Sequence, residues 1–232
     1  MRIPHLLIFT SLALALSVAA QQPAACPAPG TPCPSCEPAR SGDPLDALRA
    51  GNARFIKNDP KHLHQSAACA KALACCQKPF AIILSCSDSR VSPEVAFDQG
   101  VGDLFVVREA GNIATPTVLG SIEYAVDHLG AKLVVVMGHR RCGAVQAAFC
   151  PKPPPHVDAL WEIIRPAVPD NQRQPSCDDH TSINASWWDQ AVRKNAANMT
   201  EIVAKDLANR LGVRVVTAYY DLDNGAIELP RK

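Results

Sequence analysis

The sequence has almost no net charge and no apolar run long enough to span a membrane. Its 232 residues carry 23 basic and 22 acidic side chains, which gives a formal charge of +1. A nearly neutral chain offers no electrostatic reason to expect a nucleic acid or an anionic membrane as a partner. The longest apolar stretch, residues 6–20, is interrupted by Thr10, Ser11 and Ser17, and a membrane-spanning helix needs about 20 apolar residues. Internal repeats are also lacking. The length of 232 residues and the 47% of hydrophobic residues predict one domain with a sizeable core.

The first 20 residues have the pattern of a secretory signal peptide. Arg2 precedes the apolar stretch, and the small residues at its end allow cleavage after Ala20. An uncleaved membrane anchor is the alternative, and the short length of the stretch disfavours it. We therefore predict an exported protein, periplasmic or secreted, with no membrane contact after cleavage.

Ten cysteines are typical of a protein from an oxidising compartment. Residues 21–44 form a Pro/Cys-rich linker, and residues 45–232 form the folded domain. In the linker, Cys33-Pro-Ser-Cys36 resembles a redox or metal pair, but no strand precedes it and no second pair matches it. We therefore favour a disulfide there. We also predict a disulfide between Cys150 and Cys177, which would close a proline-rich excursion of the domain.

Apolar runs and helical patterns alternate along the domain. Asp43 is a suitable N-cap for a helix that begins at Pro44. The Trp187-Trp188 pair is predicted to be a packing anchor. Strands are predicted at 80–84, 104–107, 133–137, 213–218 and 226–229, and further helices at 66–77, 118–129, 142–148 and around 160–164. This alternation predicts an α/β fold with a mostly parallel central β-sheet flanked by helices.

Two of the predicted strands end in residues that bind metals. Cys86-Ser-Asp88-Ser-Arg90 follows the first strand, and Gly138-His139-x-x-Cys142 follows the third. Thiolate and imidazole are ligands that zinc favours, and three protein ligands are typical of a catalytic rather than a structural zinc site. Cys142 would begin a helix, whose N-terminal partial charge stabilises a thiolate.

Each piece of this constellation has a simpler interpretation when taken alone. A cysteine after a buried strand is usually part of the core, an isolated His-x-x-Cys is often accidental, and Asp88 with Arg90 could form a salt bridge within a turn. Together, and each at the end of a strand, the pieces predict a metal site.

The same blocks resemble those of the β-class carbonic anhydrases. The similarity extends from about residue 45 to residue 229, and the two metal-binding blocks are highly specific for that family. The other blocks that match are Asp103-Leu-Phe105-Val-Val-Arg108, Gly120-Ser-Ile-Glu-Tyr124-Ala-Val and Tyr220-Asp-Leu-Asp-Asn-Gly.

The resemblance implies reversible, zinc-dependent hydration of carbon dioxide to bicarbonate and a proton. It implies that Cys86, His139 and Cys142 hold Zn²⁺. Asp88 would accept a hydrogen bond from water at the metal, and Arg90 would orient Asp88. In some members of the family the aspartate instead binds the metal as a fourth ligand, and the sequence leaves open whether Asp88 does so.

The resemblance also implies a substrate pocket and an oligomer. Gln77 matches a substrate-orienting glutamine, Phe105 and Tyr124 match apolar and aromatic pocket positions supplied across a dimer interface, and Gly143 lies beside the ligand Cys142. The implied assembly is a homodimer or a dimer of dimers, in which the N-terminal helices pack on the partner subunit.

One position bears on the subgroup of the family. Members with a regulatory bicarbonate site have a tryptophan three residues before the first cysteine ligand, where this chain has Ile83. Together with Gln77, this indicates the plant-type subgroup and no such regulatory site.

Two other functions are compatible with the motifs. A related zinc hydrolase of carbonyl sulfide or carbon disulfide would keep the fold and the metal but differ at the pocket residues. A non-catalytic scaffold, stabilised by zinc or using Cys33 and Cys36 for thiol redox chemistry, would hydrate no carbon dioxide.

Overall fold

The computed structural model describes residues 42–153, 155–173 and 183–231. The predicted signal peptide, the Cys33/Cys36 pair and Cys177 lie outside these residues. The strands are β1 (Ala81–Ser85), β2 (Leu104–Arg108), β3 (Leu133–His139), β4 (Arg214–Tyr220) and β5 (Ile227–Glu228). The α-helices are α1 (Pro44–Ile56), α2 (Ala67–Ala72), α3 (Pro93–Ala96), α4 (Pro116–Asp127), α5 (Gly143–Ala147), α6 (Asp158–Ile164) and α7 (Ala185–Asp206), with 3₁₀ turns at Ala110–Asn112, Arg165–Ala167 and Asp170–Gln172.

The five strands form one sheet in the order β2-β1-β3-β4-β5. β1, β2, β3 and β4 run parallel to their neighbours, and only β5 pairs antiparallel, with β4. The predicted mostly parallel sheet is confirmed, and every predicted strand is present with ends shifted by one or two residues. β1 and β3 are neighbours, so their carboxyl ends meet at the same edge of the sheet.

Both faces of the sheet are buried under helices. Alternate residues of each strand point to opposite faces. On one face, Ile82 and Val134 pack with residues of α4, α5, α6 and α7. On the other face, Ile83 and Val135 pack with residues of α1 and α3. The sheet is therefore a middle layer between helices, which explains why β1 is apolar before Ser85 and β3 is apolar before Gly138 and His139.

The start of α1 agrees with its prediction. The Asp43 carboxylate accepts a hydrogen bond from the Leu45 N–H, and Pro44 is the first helical residue.

The predicted helix at 66–77 was too long, since α2 ends at Ala72. Leu73 leaves the helix and packs on Gly102.

The longest helix that the structure describes, α7 with 22 residues, was not predicted from the sequence. It packs against β3 and β4 and buries Val192, Ala196, Met199 and Val203. The spacing of these four residues by three or four positions is the signal that could have revealed an amphipathic helix. None of the helices that the structure describes is long and apolar enough to cross a membrane.

Candidate metal centre

The candidate site lies where β1 and β3 end side by side. Cys86 directly follows β1, His139 is the last residue of β3, and Cys142 is the N-cap residue of α5. The parallel pairing of β1 with β3 brings these distant segments together. The structure thus places the three predicted ligands at one edge of the sheet.

The ligand atoms of these three residues form a compact, buried cluster. The two Sγ atoms and a ring nitrogen of His139 lie within 4.8 Å of one another, and the side chains of all three residues are nearly inaccessible to solvent. The distance between the Cys86 and Cys142 Sγ atoms is 3.9 Å. Two thiolates at about 2.3 Å from a tetrahedral zinc ion would be about 3.8 Å apart, so the residues fit this metal.

The hydrogen bonds of His139 leave one ring nitrogen available to a metal. Its Nδ1 lies 3.0 Å from the Arg140 carbonyl oxygen, to which the Nδ1–H donates. Its Nε2 is buried and has no hydrogen-bond partner among the described residues. A buried polar atom without a partner destabilises a fold, and a metal ion in the cluster would satisfy it.

The two thiols differ in acidity because they share one hydrogen bond. The bond with Cys142 lowers the pKa of Cys86 despite the opposing effect of burial, and His139 and the Gly111 N–H lower it further. The same bond and burial raise the pKa of Cys142. The pair therefore readily provides one thiolate, the form that binds metals.

Asp88 and Arg90 form a tight pair beside the cluster. Arg90 donates from Nε to Asp88 Oδ1 (2.9 Å) and from Nη2 to Oδ2 (2.6 Å). These bonds lower the pKa of Asp88 to about 2, so its carboxylate is ionised at neutral pH. Its Oδ2 lies 3.8 Å from His139 Nε2, which places the charge next to the metal-binding atoms. The structure shows Asp88 held by Arg90, and its conditional role as a fourth ligand stays a prediction.

The predicted pocket residues lie in two places. Gln77 and Tyr124 line an open groove of 670 Å³ on the surface, and the ring centroids of Tyr124 and Phe105 are 6.4 Å apart. Gly143 instead begins α5, next to Cys142, and a Cβ atom added to it would have nothing within 4 Å. Tyr124 is 47% exposed, so the part of the predicted pocket that faces the groove is open to solvent in the single chain.

The sequence did not predict that Arg108 and Trp188 position the site. Arg108 donates to the carbonyl oxygens of Cys86 (3.3 Å) and Asp88 (2.7 Å) and so braces the loop after β1. Trp188 donates from Nε1 to the Cys142 carbonyl at 3.0 Å. The predicted packing role of the tryptophan pair therefore includes a polar contact with a ligand residue. These contacts join segments that are far apart in the chain, so a short sequence motif does not predict them.

The cysteines outside the cluster behave differently from those in it. Cys86 and Cys142 are free thiols. Cys69, Cys75, Cys76 and Cys150 are disulfide-bonded, which agrees with the assignment of Cys150 to a disulfide. Its predicted partner, Cys177, lies outside the described residues.

Relatives with similar sequences are named carbonic anhydrases. The chain is 55% identical over 103 residues to "Carbonic anhydrase 2" of Mycobacterium tuberculosis, a match covering 44% of this chain and 50% of that protein. It is 52% identical over 103 residues to a carbonic anhydrase of Mycolicibacterium smegmatis, with the same coverage. The matched part thus spans about half the length of these relatives.

Solved structures with a similar fold are β-carbonic anhydrases. The Coccomyxa enzyme, solved in complex with acetazolamide, has a TM-score of 0.57 at 26% identity, covering 81% of this chain and 85% of that chain. Tetrameric β-carbonic anhydrases from Sordaria macrospora give a TM-score of 0.59 at 23% identity, covering 80% of this chain and 95% of that chain. The second likeness bears on the fold alone.

The family model described as "Carbonic anhydrase" matches residues 81–227. This range contains β1 to β4 and all three residues of the cluster. Because the match covers more than half of the 232 residues and the similar solved structures are of the β class, the chain belongs to the β-class carbonic anhydrase family.

Proposed function

We propose that this protein catalyses the reversible hydration of carbon dioxide to bicarbonate and a proton, with Zn²⁺ held by Cys86, His139 and Cys142. The observation that carries the proposal is the buried cluster of two thiols and an imidazole, in which His139 Nε2 has no other partner among the described residues. Three protein ligands leave one position of a tetrahedral ion open, as catalysis requires. When bound, zinc supplies a nucleophile by lowering the pKa of water to near neutrality.

Asp88 and Arg90 are proposed to orient the reacting water. The Asp88 Oδ2 atom, 3.8 Å from His139 Nε2, is placed to accept a hydrogen bond from that water. The Arg90 guanidinium, which lowers the pKa of Asp88 to about 2, keeps this acceptor charged and aimed. Because this carboxylate is ionised at neutral pH, Asp88 is proposed to act as the acceptor that orients the water.

The groove residues are proposed to complete the pocket together with a second subunit. Gln77 and Tyr124 lie at the surface of the single chain, which is the arrangement expected of residues that act across a homodimer interface. A homodimer or a dimer of dimers would cover this surface. Sedimentation of the zinc-loaded protein as a monomer would contradict this part.

Stopped-flow measurement of carbon dioxide hydration, alongside metal analysis, tests the activity. Asp88→Asn is expected to retain zinc and to lose about 10²- to 10⁴-fold in kcat/KM, since it removes the charged acceptor. Cys86→Ser is expected to lose zinc and activity together. Ser89→Ala, an exposed change in the same loop, serves as the matched control with near wild-type activity. A zinc-loaded wild-type protein without hydration activity would overturn the proposal in favour of a scaffold or of a related hydrolase of carbonyl sulfide or carbon disulfide.

The plant-type assignment leads to a separate kinetic expectation. Ile83, in place of the tryptophan of regulated members, is fully buried among residues that pack with α1 and α3. We propose that bicarbonate does not regulate this protein at a second site. Inhibition by bicarbonate should then be hyperbolic, and sigmoidal inhibition would contradict the assignment.

Export to an oxidising compartment is proposed from the N-terminal pattern. Cys69, Cys75, Cys76 and Cys150, which are disulfide-bonded, support it because disulfides persist in such compartments. Sequencing the N-terminus of the mature protein tests the idea, and a chain that still starts at Met1 would contradict cleavage.

A further inference from the structure

Helix α7 contacts backbone groups that belong to the three candidate ligands or lie beside them in space. Trp188 donates to the Cys142 carbonyl, and Asn195 donates from Nδ2 to the Gly111 carbonyl at 2.8 Å. These two residues are seven positions apart, so they lie about two turns apart on one face of the helix. Between them, Val192 packs so close to Gly138 that a Cβ there would lie 3.1 Å from its Cγ1 atom. Gly138 directly precedes His139.

The contact with Gly111 leads to the Cys86 sulfur. The Gly111 N–H donates to Cys86 Sγ over 3.2 Å. Gly111 has a φ of 68°, and a Cβ there would lie 2.5 Å from Ile164 Cδ1. A residue with a side chain would be strained there, so this position requires glycine. Glycine also adopts many other backbone conformations, so the local chain does not by itself hold Gly111 in this one. The hydrogen bond from Asn195 holds the carbonyl side of the same residue in place.

Asn195 is an unusual choice for a residue that only fills the core. It is fully buried, and its Oδ1 atom has no hydrogen-bond partner among the described residues. A buried amide oxygen without a partner destabilises the fold, so an aliphatic side chain of similar size would suit packing better. The Nδ2 donor to Gly111 is what an aliphatic side chain could not provide.

We propose that Asn195 is a positioning residue for the metal centre, which it serves by holding Gly111 so that the Gly111 N–H stays on the Cys86 sulfur. The proposal rests on the metal site of the proposed function, but not on the substrate. A hydrogen bond to a ligand sulfur fixes its orientation and reduces its electron donation to a metal. Outer residues of this kind typically change metal affinity by about 10- to 100-fold when they are removed.

The test measures metal binding rather than turnover. Asn195→Leu removes both the donor and the oxygen that lacks a partner, and Asn195→Ala removes them without risk of overfilling the core. Thr200→Val is the matched control, because Thr200 lies on the same helix and its hydroxyl bonds to Ala196 and Thr217 without contacting Gly111. Each full-length variant is titrated with Zn²⁺ against a chromophoric chelator and, separately, with Co²⁺.

Both Asn195 variants are expected to bind Zn²⁺ about tenfold or more weakly, because the loss of the fixed sulfur orientation outweighs the gain in electron donation, whereas Thr200→Val binds as wild type. With Co²⁺, the sulfur-to-metal charge-transfer band is expected at longer wavelength in the Asn195 variants, because the sulfur has lost its hydrogen bond. Thermal unfolding of metal-free Asn195→Leu should be no lower than that of wild type.

The two proposals fail differently. Wild-type Zn²⁺ affinity and an unshifted Co²⁺ band in the Asn195 variants would overturn the positioning role and leave the proposed function intact. An equal loss of affinity in Thr200→Val would also overturn it, since the effect would then come from helix stability. Wild-type protein that binds zinc but hydrates no carbon dioxide would overturn the proposed function alone.

Discussion

Arg90 shows how a single side chain can fix the orientation of a carboxylate beside the candidate metal centre. Its guanidinium contacts both oxygens of Asp88 and also donates to the Arg141 carbonyl at 3.3 Å. A planar fork with several donors can do this, whereas an ammonium group cannot meet both oxygens in a fixed plane. The fixed orientation of Asp88 therefore depends on having arginine rather than lysine at position 90.

Arg90→Lys should lower kcat/KM for carbon dioxide about tenfold while zinc content stays at wild-type level, because Asp88 keeps its charge but loses its fixed orientation. Stopped-flow hydration with metal analysis measures both quantities. Arg141→Lys is the control, since the Arg141 side chain pairs with Asp223 rather than with Asp88. Equal losses in the two variants would contradict a specific role for the Arg90 fork.

Asp98 is a residue whose charge stabilises the fold away from the site. Burial by itself raises the pKa of Asp98, but the backbone N–H groups of Lys61 and His62 and the Arg54 guanidinium together hold it below its ordinary value. The Asp98 side chain is fully buried, and its Oδ2 lies 2.5 Å from Arg54 Nε. A carboxyl with a lowered pKa in the folded state stabilises the fold above its ordinary pKa of about 3.9, and this contribution is lost as the pH falls through the lowered pKa.

Asp98→Asn should therefore reduce the free energy of unfolding by about 2–3 kcal/mol at pH 7, with a smaller difference from wild type as the pH falls below about 4. Urea unfolding at both pH values measures this. Asp46→Asn, which breaks an exposed pair with Arg49, should change stability by less than about 1 kcal/mol. A penalty for Asp98→Asn that is independent of pH would show that its charge is not the cause.

At the scale of whole elements, the helices approach their neighbours at different distances, and two glycines reveal this. Gly51 of α1 faces the loop after α3 so closely that a Cβ would lie 1.8 Å from the Phe97 carbonyl oxygen. Gly120 of α4 has nothing within 4 Å of the same position. One helix therefore needs its glycine for packing, and the other does not.

Gly51→Ala should destabilise the protein by about 3 kcal/mol, because an overpacked contact with backbone cannot relax easily. Gly120→Ala should stabilise it by about 0.5–1 kcal/mol through helix propensity. Thermal unfolding should show melting temperatures that move in opposite directions. A shift of both in the same direction would contradict the difference in packing.

The candidate metal centre draws on two separate segments of the described chain. Cys86 follows β1, while His139 and Cys142 flank the turn between β3 and α5, so a bound ion would tie these parts together. A ligand that binds only the folded state stabilises it by an amount that grows with its concentration, about 4 kcal/mol at 1,000 times its Kd.

Removal of zinc by a chelator should lower the melting temperature by about 10 °C, as expected for a loss of about 4 kcal/mol in a domain of this size. Differential scanning fluorimetry with and without chelator measures the shift. Cys86→Ser, which lacks a ligand, should show no further decrease on chelation. If the wild-type melting temperature stayed constant after the metal had been removed, the ion would not connect these segments.

Local sequence was enough to predict the sheet and the ligand set. The apolar runs that form β1 and β3 need burial on both faces, and Cys86, His139 and Cys142 follow from their places at the strand ends and from the chemistry of zinc. The fold class and the family were therefore accessible from the chain alone. The pairing of β1 with β3 then brought these residues together as expected.

The tertiary structure decided how the site is held. The N–H of Gly111 on the Cys86 sulfur, the support from Asn195 and the bond from Trp188 to Cys142 depend on where groups from distant segments meet in space. Asn195 and Gly111 are 84 positions apart, and neither carries a chemical signature in its own neighbourhood. Short-range patterns report which face of an element is buried, whereas only the packed arrangement of α7 on the sheet determines which atoms that face touches.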